Sequence, residues 1–569
     1  MKRIQLRRGL RSRFVRVIVA AMIPIGLVAT VGGAASPSGP IVLTAPANLP
    51  GVAALPYTGV TTAAFTVPST ISNLTVTPDQ GVTGTPMKIT GSGLAANTTL
   101  QLTWSTNSAT WVADVEPNTV NYNGTSYSKF TVNMATVTTD ASGAFTYSTK
   151  APADFGGVHD IYAVSNGAAV AHGGFELLRI LKITPRSGPV GTQIHITYTS
   201  MGASLYTGGA SVLWDNHYVG EMMGNWTRGT ATVTIRAAGA VGNHLIQIGN
   251  AISYMYMNVI QSPIPYTNGG VFAFHVTKST TVPKPYITWP ANVTPTVNEV
   301  TTLSVANLDP SSNAVATLSS DRGPILTPDT VNVTGLTLTG TSTPSSANYK
   351  LLWSTVVGNR VNCASTCWAF SSVPLGSASA TNGSLKTSIT VPNNLGGWHV
   401  VQVVDAAGNV EAQVPFYVKE SIVPFKNKAG KVVSLGVATA NDANTAAAIA
   451  VGQSGTGTYT FHQNQEFTIS IDGVGWTQLD NTLGVDYDNS YMGYGCGFNS
   501  NGYMVIHLRA TGGPGIHIID LNPMLYSLSP SFANTPYGMV PVLSSARDYP
   551  GLALGYQVPS IHFAIRVIK

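Results

Sequence analysis

The chain contains two copies of one long segment, and this repetition restricts its fold more than any other feature. TQIHITYTSMG (192–202) aligns with QEFTISIDGVG (465–475) at an offset of 273 positions, and the match continues without a gap over 57 residues. Identical residues recur at matched positions: Asp215/Asp488, Asn216/Asn489, Tyr218/Tyr491, Arg236/Arg509 and His244/His517. A match of this length predicts two copies of one unit, which we call type B.

A second pair of segments, type A, repeats in the same way. MKITGSGLAANTTLQLTWST (87–106) aligns with LTLTGTSTPSSANYKLLWST (336–355) at an offset of 249. Downstream, FGGVHDIYAV (155–164) aligns with LGGWHVVQVV (395–404). The order of these segments predicts a tandem duplication, A1–B1 followed by A2–B2.

Short runs of alternating apolar residues fill each unit. MKITG, LQLTW, TVTIRA and HLIQIG are bounded by Gly, Asn or Pro, which is the pattern of strands with one face on a core. The chain holds 58 Gly and 34 Pro and is only 9% charged, a composition that favours strands and turns over helices. We therefore predict an all-β fold of four tandem Ig-like antiparallel β-sandwich domains, arranged as a duplicated A–B pair after an N-terminal signal helix.

The first 35 residues have the pattern of a secretory signal. MKRIQLRRGLRSRFVR carries seven positive charges and no acid, and the apolar run VIVAAMIPIGLVATV (17–31) precedes the small residues GGAAS. Cleavage is predicted after Ala35, with an uncleaved N-terminal anchor as the alternative. The predicted location is accordingly secreted or extracellular, at the cell surface.

Loss of this segment changes the sign of the net charge. The full chain has 29 Lys and Arg against 24 Asp and Glu, and without the seven basic residues of the signal the balance is 22 against 24. A basic surface for nucleic acid is therefore not expected. No later stretch is apolar enough to span a bilayer, so the mature chain is predicted to have no membrane span. The scarcity of carboxylates also fits an acidic exterior.

The B unit resembles a known type of repeat. ITPRSGPVGTQIHITYTSMG, VLWDNHYVG and GTATVTIRAAGAVGNHLIQI together look like the Ig-like repeats, near the IPT/TIG type, of secreted bacterial and archaeal surface proteins. VTPDQGVTGTPMKITGSGL (76–94) matches the leading segment of that pattern. The resemblance implies an Ig-like sandwich. It is nearly silent on function, because such modules occur in adhesins, surface-layer components and non-catalytic parts of enzymes.

These observations divide the chain into eight predicted segments. They are a signal peptide (1–35), an N-terminal extended segment (36–72), domain A1 (73–178), domain B1 (179–278), a linker or extended segment (279–325), domain A2 (326–418), an Ala/Gly-rich linker (419–457) and domain B2 (458–569). Sandwiches in series with short Pro-bearing joints predict a semi-rigid rod.

His399, in NNLGGWHVVQVVDAAGN (393–409), first looks like a ligand or a catalytic base. It recurs as His159, His244 and His517, each after a glycine at the start of the same strand, and four copies do not make one active site. A histidine that hydrogen-bonds a neighbouring loop is the favoured interpretation. No Gly-x-Ser-x-Gly elbow or His-Glu-x-x-His motif appears, so neither an enzyme nor a cofactor is predicted.

The three cysteines are too few for a disulfide scaffold. Cys363 and Cys367 in NCASTCW are predicted to be able to close a small disulfide loop in an oxidising exterior. Metal binding is the weaker interpretation, because two thiols alone make an incomplete site. Cys496 is expected to be a buried thiol.

One hairpin of B2, VDYDNSYMGYG, carries the remaining candidates. Tyr487, Tyr491 and Tyr494 are possible glycan-contact aromatics if they are exposed, and core packing is the alternative. Asp486 and Asp488 are a candidate calcium pair, but the first copy keeps only one of the two acids, which favours a role in the turn.

Three functions remain open at this stage. The first is a non-catalytic cell-surface protein with a structural or adhesive role, in the manner of a surface layer, whose partners are envelope components, other copies of itself or glycans. The second is an extracellular carbohydrate-binding protein that uses the aromatics of B2. The third is a non-catalytic part of an extracellular enzyme system, with an unrecognised enzyme site in the inserted segments as a further alternative.

Overall fold

The computed structural model describes residues 40–569, apart from 47–48, 50, 53, 117–118, 205–206, 251–259, 261–269, 291–307, 338–345, 359–367, 427–428, 430, 440–458, 477–479, 498–499, 526–539 and 544–547. The predicted signal segment therefore lies outside the described residues. Apart from 3-10 turns such as Pro550–Leu554, the regular structure of the described part is β-strand, which confirms the all-β prediction.

The strands follow the alternating runs of the sequence. β4, for example, alternates between exposed and buried side chains along PMKITG. In the first half the strands are β1 (Pro40–Leu43), β2 (Ser72–Thr77), β3 (Gln80–Gly81), β4 (Pro86–Gly91), β5 (Thr99–Glu116), β6 (Thr119–Thr138), β7 (Phe145–Lys150), β8 (Gly157–Ser165), β9 (Ala168–Leu177), β10 (Ile180–Thr184), β11 (Ser187–Pro189), β12 (Gln193–Thr199), β13 (Gly209–Trp214), β14 (His217–Met223), β15 (Ala231–Arg236), β16 (Gly242–Asn250) and β17 (Val271–Thr277).

The second half repeats this series with additions. Its strands are β18 (Tyr286–Thr288), β19 (Val315–Leu318), β20 (Arg322–Gly323), β21 (Pro328–Thr334), β22 (Ser346–Gly358), β23 (Trp368–Thr381), β24 (Leu385–Thr390), β25 (Gly397–Val404), β26 (Val410–Val418), β27 (Ser421–Ile422), β28 (Pro424–Lys426), β29 (Val432–Leu435), β30 (Val437–Thr439), β31 (Thr460–His462), β32 (Glu466–Asp472), β33 (Thr482–Tyr487), β34 (Ser490–Cys496), β35 (Met504–Arg509), β36 (Gly515–Leu525), β37 (Val540–Pro541) and β38 (Ser560–Ile568).

The sheets have the order of Ig-like sandwiches. In B1, β10-β12-β15 face β11-β17-β16-β13-β14, and in A2, β19-β21-β24 face β20-β26-β25-β22-β23. A1 uses the same strands in one continuous path, β1-β5-β8-β9-β2-β4-β7, with β6 on β5. B2 has β27-β32-β30 with β35 on β32, opposite β18-β38-β36-β33-β34. Neighbouring strands are mainly antiparallel, and one short strand in each sandwich runs parallel to the last one: β3/β9, β11/β17, β20/β26 and β31/β38.

Both predicted linkers contribute strands to neighbouring sheets. β19 and β20, from the segment 279–325, lie in the two sheets of A2, and β18 pairs with β38 in B2. β27 and β30, from the segment 419–457, pair with β32. These strands have only two to four residues, so alternation could not reveal them.

Each A–B joint is a close backbone contact. The Gly156 N–H donates to the Met201 carbonyl at 2.8 Å, and at the second joint the Gly396 N–H donates to the Val474 carbonyl at 2.9 Å. A Cβ at Gly396 would overlap the carbonyl oxygen of Gly473. Glycine is therefore needed for the two sandwiches to approach this closely.

The sandwiches do not form a rod. One buried core contains Leu43, Trp111 of the long β5–β6 hairpin, Trp226 of B1 and Trp398 of A2, together with the interior of B2. A second core joins the B1 interior to Ile516 and neighbouring residues of B2. The first and last parts of the duplication thus pack side by side. The sequence alone could not show this, because each half repeats the same local pattern.

Candidate functional site

The two repeated histidines of type A lie inside their sandwiches. His399 is fully buried, with Nδ1 2.6 Å from the Ser354 carbonyl oxygen and Nε2 2.9 Å from the Leu395 carbonyl oxygen. His159 makes the same contacts with Ser105 and Phe155, both at 2.7 Å. Burial lowers the pKa of His399 to about 4, although hydrogen bonding of the imidazole to backbone carbonyls opposes this shift. At neutral pH, His399 is therefore an uncharged bridge between strand and loop.

The two type B histidines bind the aspartate of the preceding hairpin turn. Nδ1 of His244 lies 2.5 Å from the Asp215 carboxylate, and Nδ1 of His517 lies 2.5 Å from Asp488. Burial opposes the charge of His517, but the Asp488 carboxylate more than offsets it and raises the pKa. Each imidazole also approaches the carbonyl oxygen four residues before it, as in type A.

All four histidines stack on an aromatic residue of the neighbouring strand. The ring-centroid distances are 4.3 Å for Trp104 and His159, 5.3 Å for Trp214 and His244, 4.8 Å for Trp353 and His399, and 5.7 Å for Tyr487 and His517. Each imidazole therefore stacks on one aromatic ring and makes two polar contacts. This geometry agrees with the predicted structural role of the histidines.

The candidate calcium pair is divided between the turn and the interior. Asp488 has a φ of 50° in the turn and accepts a hydrogen bond from the Ile518 N–H at 3.0 Å. Asp486 is buried, and Asn522 Nδ2 donates to it at 3.0 Å. Burial holds the pKa of Asp486 well above its usual value. Among the residues that the structure describes, no group of three or more His, Cys, Asp or Glu side chains could hold a metal ion.

The predicted aromatic surface separates into three environments. Tyr487 is buried, and its hydroxyl donates to the Thr511 carbonyl at 2.9 Å. Tyr491 is half-buried against Tyr218 of B1, with ring centroids 6.3 Å apart. Tyr494 is exposed, at 45%. Burial removes Tyr487 from the surface, so glycan contact by the half-buried Tyr491 and the exposed Tyr494 stays a prediction.

The predicted disulfide residues, Cys363 and Cys367, lie outside the described residues. Cys496 is exposed, which corrects the expectation of a buried thiol. It occupies the end of β34, an edge strand whose side chains alternate between half-buried and exposed positions. The alternation places Cys496 on the outward face.

A buried ion pair joins B1 to B2. Arg236, at the end of β15, is 1% exposed and lies 2.7 Å from the Asp520 carboxylate of β36. Its guanidinium also donates to the carbonyls of Ile519 and Phe563, at 3.0 and 2.7 Å. Burial opposes ionisation of Asp520, but Arg236 and His562 hold its pKa below the usual value. This contact could not be predicted from the sequence, because Arg236 and its copy Arg509 occupy matched positions in similar strand patterns.

A buried carboxyl group connects A1, B1 and the tail loop of B2. Asp548 is fully buried and accepts hydrogen bonds from Trp111 Nε1 at 2.7 Å and from the Trp226 N–H at 2.9 Å. Trp226 Nε1 in turn donates to the Leu43 carbonyl at 3.2 Å. Burial raises the pKa of Asp548 to about 7, against the opposing effect of these donors. The titratable groups at these contacts hold sandwiches together.

In the described part of the chain, we find no helix with the length and hydropathy of a membrane span. No family model matches the chain, so the likeness to IPT/TIG repeats stays a prediction. No curated protein matches it either.

Among solved structures, the chain is similar to FdeC, an Escherichia coli adhesin, at 13% identity, covering 63% of this chain and all of that one with a TM-score of 0.14. It is similar to Salmonella α2-macroglobulin at 9% identity, covering 88% of this chain but only 31% of that one, with a TM-score of 0.16. It is also similar to the ICAM-5 D1–D4 ectodomain fragment at 9% identity, covering 87% and 99% with a TM-score of 0.17. These TM-scores are too low to carry an argument about shape or function.

Proposed function

We propose that the protein is a non-catalytic component of the cell surface, in which Ig-like sandwiches form a rigid structural or adhesive element. The observation that carries this proposal is the use of the buried charged groups. Arg236, Asp520 and Asp548 are engaged in contacts between sandwiches. Such contacts fix the relative positions of distant parts of the chain, as a load-carrying or surface-presenting protein requires.

The sequence supports the location. The basic N-terminal segment with its apolar run predicts export. The low content of charged residues is compatible with an extracellular protein that makes few ionic contacts. The proposed partners are envelope components and other copies of this chain.

Fractionation of the native host tests this proposal. Antibodies against the full chain should detect it in the envelope fraction or the medium, and purified full-length protein should be retained on isolated envelopes. Recovery in the cytoplasm, or no retention on envelopes above that of an unrelated protein of similar size and charge, would overturn the proposal.

A further inference from the structure

The two A–B joints are copies of each other, and the first one contains its own buried cation. Arg228, in the B1 loop, is 7% exposed, and its guanidinium donates to the Asp154 carboxylate of A1 at 2.6 Å. Trp104 Nε1 donates to the other oxygen of Asp154 at 2.8 Å. In the A1–B1 joint, the Asp154 carboxylate therefore accepts hydrogen bonds from both the Arg228 guanidinium and the Trp104 indole.

The second joint has lost both charges. Alignment of the copies places Asn394 at the position of Asp154 and Asn501 at the position of Arg228. Asn501 Nδ2 donates to the Asn393 carbonyl at 2.9 Å. The indole N–H of Trp353, which matches Trp104, has no hydrogen-bond partner among the described residues. Among the residues that the structure describes, Asn394 accepts a hydrogen bond from the Thr355 hydroxyl at 2.8 Å, and no cationic side chain takes the place of the first joint's arginine.

A cleft of about 520 Å³ opens beside Asn501. Asn393 of A2 and Asn501, Tyr503 and Asp472 of B2 line it, together with Phe425 of β28. β28–β30 lie between β27 and β31, where the first copy passes directly from β10 to β11. The cleft is therefore built from residues in which the second copy differs from the first, and its volume is in the range of small-ligand sites.

Asp472 gives the cleft its charge. It ends β32, at the position that Thr199 occupies in the first copy, and it is half-buried. Its carboxylate has no hydrogen-bond or ion-pair partner among the described residues, and burial raises its pKa to about 6. Of the described residues that line the cleft, Tyr503 is the only other titratable one, and its hydroxyl donates to Ser470 Oγ at 3.3 Å. A partly desolvated carboxylate without a partner is stabilised by an incoming cation.

We propose that this cleft binds the ammonium or guanidinium group of a lysine or arginine side chain from a polypeptide partner, with Asp472 as the counter-ion. In the first joint a cation of the same chain, Arg228, pairs with the buried carboxylate of Asp154, whereas the carboxylate of Asp472, which replaces Thr199 in the second copy, faces an open volume. The ring of Tyr503 offers the aromatic wall that cations favour, and the amide oxygens of Asn393 and Asn501 offer acceptors. This binding does not depend on the adhesive role proposed above.

Titration of the full chain with blocked single residues tests the proposal. The probes are N-acetyl-lysine methylamide and N-acetyl-arginine methylamide, with N-acetyl-norleucine methylamide as a neutral analogue of similar length. Calorimetry or chemical-shift changes should give a dissociation constant on the order of 1 mM for the cationic probes, as expected for ligands of this size. Norleucine should bind at least about tenfold more weakly, since it cannot pair with a carboxylate.

Two variants and a pH profile complete the experiment. D472N should weaken binding of the cationic probes about tenfold or more, whereas Thr199→Asn at the matched position of B1 should not change it. N501R restores the arginine of the first copy, at a position whose φ of 56° resembles the 49° of Arg228, and should block the cleft. In the unmodified protein, binding should weaken about tenfold from pH 7 to pH 5 as Asp472 takes up a proton.

The outcomes separate clearly. Loss of binding in D472N and N501R, with unchanged far-ultraviolet circular dichroism and a falling affinity in acid, supports the cation site. Equal binding of norleucine, unchanged binding in D472N, or no binding of the cationic probes at about 20 mM overturns it. The pH profile of the unmodified protein keeps the proposal falsifiable if a variant fails to fold.

Discussion

The duplication places arginines at matched positions, Arg236 in B1 and Arg509 in B2. Comparing their alanine variants measures how much the buried contact between B1 and B2 stabilises the protein. Arg236→Ala removes the guanidinium that pairs with Asp520 and leaves a buried carboxylate whose remaining side-chain partner is His562, at 2.5 Å. Breaking a buried pair in this way costs about 3–5 kcal/mol, and His562 places the expected loss near the lower value. Arg509→Ala is the control, because this side chain is 59% exposed and pairs with Glu466 at the surface. Its loss should cost about 0–1 kcal/mol.

Differential scanning calorimetry of the full chain is the appropriate assay, because several sandwiches need not unfold in one step. A loss of about 3 kcal/mol corresponds to a fall in Tm of roughly 6–12 °C for one cooperative unit of about 200 residues that contains both B1 and B2. We expect that fall in one transition of Arg236→Ala and a shift of about 4 °C or less in Arg509→Ala. Similar shifts for the two variants would refute the reasoning, because the two arginines would then lie in equivalent surroundings and B1 and B2 would not share a buried ion pair.

Three further predictions follow from buried groups and from the close A–B joint. Asp548 has a pKa of about 7 in the folded protein and 3.8 in the unfolded chain, so its contribution to the free energy of unfolding is full below pH 3.8, and about 4 kcal/mol of it is lost as the pH rises to 7. Asp548→Asn should weaken this pH dependence of stability, and equal changes in Tm between pH 4 and pH 7 in the variant and the native chain would contradict the prediction. His399 has a pKa of about 4 in the folded protein and 6.5 in the unfolded chain, so its contribution to the free energy of unfolding is full above pH 6.5, and about 3 kcal/mol of it is lost as the pH falls to 4. In denaturant unfolding, the stability of His399→Gln should depend less on acid pH than that of the native chain. An unchanged pH dependence would argue against a buried neutral imidazole. Gly396→Ala places a Cβ against the Gly473 carbonyl and should destabilise the A2–B2 joint by about 1–3 kcal/mol. Limited proteolysis should then cut the 419–457 region faster than in the control Gly513→Ala, whose Cβ would meet no neighbouring atom and whose backbone is outside the left-handed region.

Local features of this fold were predictable from the sequence, because they repeat within one chain. The alternation in β4 and its counterparts determines strands, and the recurring histidines indicate a position that each sandwich fills in the same way. Both signals depend only on neighbours in sequence or in the same sandwich. For this reason the all-β class and the structural role of His399 follow from residues alone.

Contacts between sandwiches could not be predicted by the same reasoning. Arg236 and Arg509 occupy matched positions in similar strands, yet one is buried and the other is exposed. The difference depends on which surfaces of the sandwiches pack against each other, and no local sequence pattern indicates this. Tyr487 and Tyr494 are likewise separated by burial that depends on strand direction and on neighbouring segments. The charge difference between the two joints became meaningful only once the structure showed that Arg228 and Asn501 lie in equivalent places.

The pairing of β18 with β38 has a consequence for how the chain reaches its native state. Tyr286 lies opposite His562, and Trp111 donates to Asp548, which is 437 residues later in the chain. Contacts of such high sequence separation form slowly, since a long loop must close before they contribute. The interior that contains Leu43 also contains Val567 of β38. Until β38 pairs, the apolar face of the β5–β6 hairpin has no complete cover, and the nascent chain is exposed to aggregation during that interval.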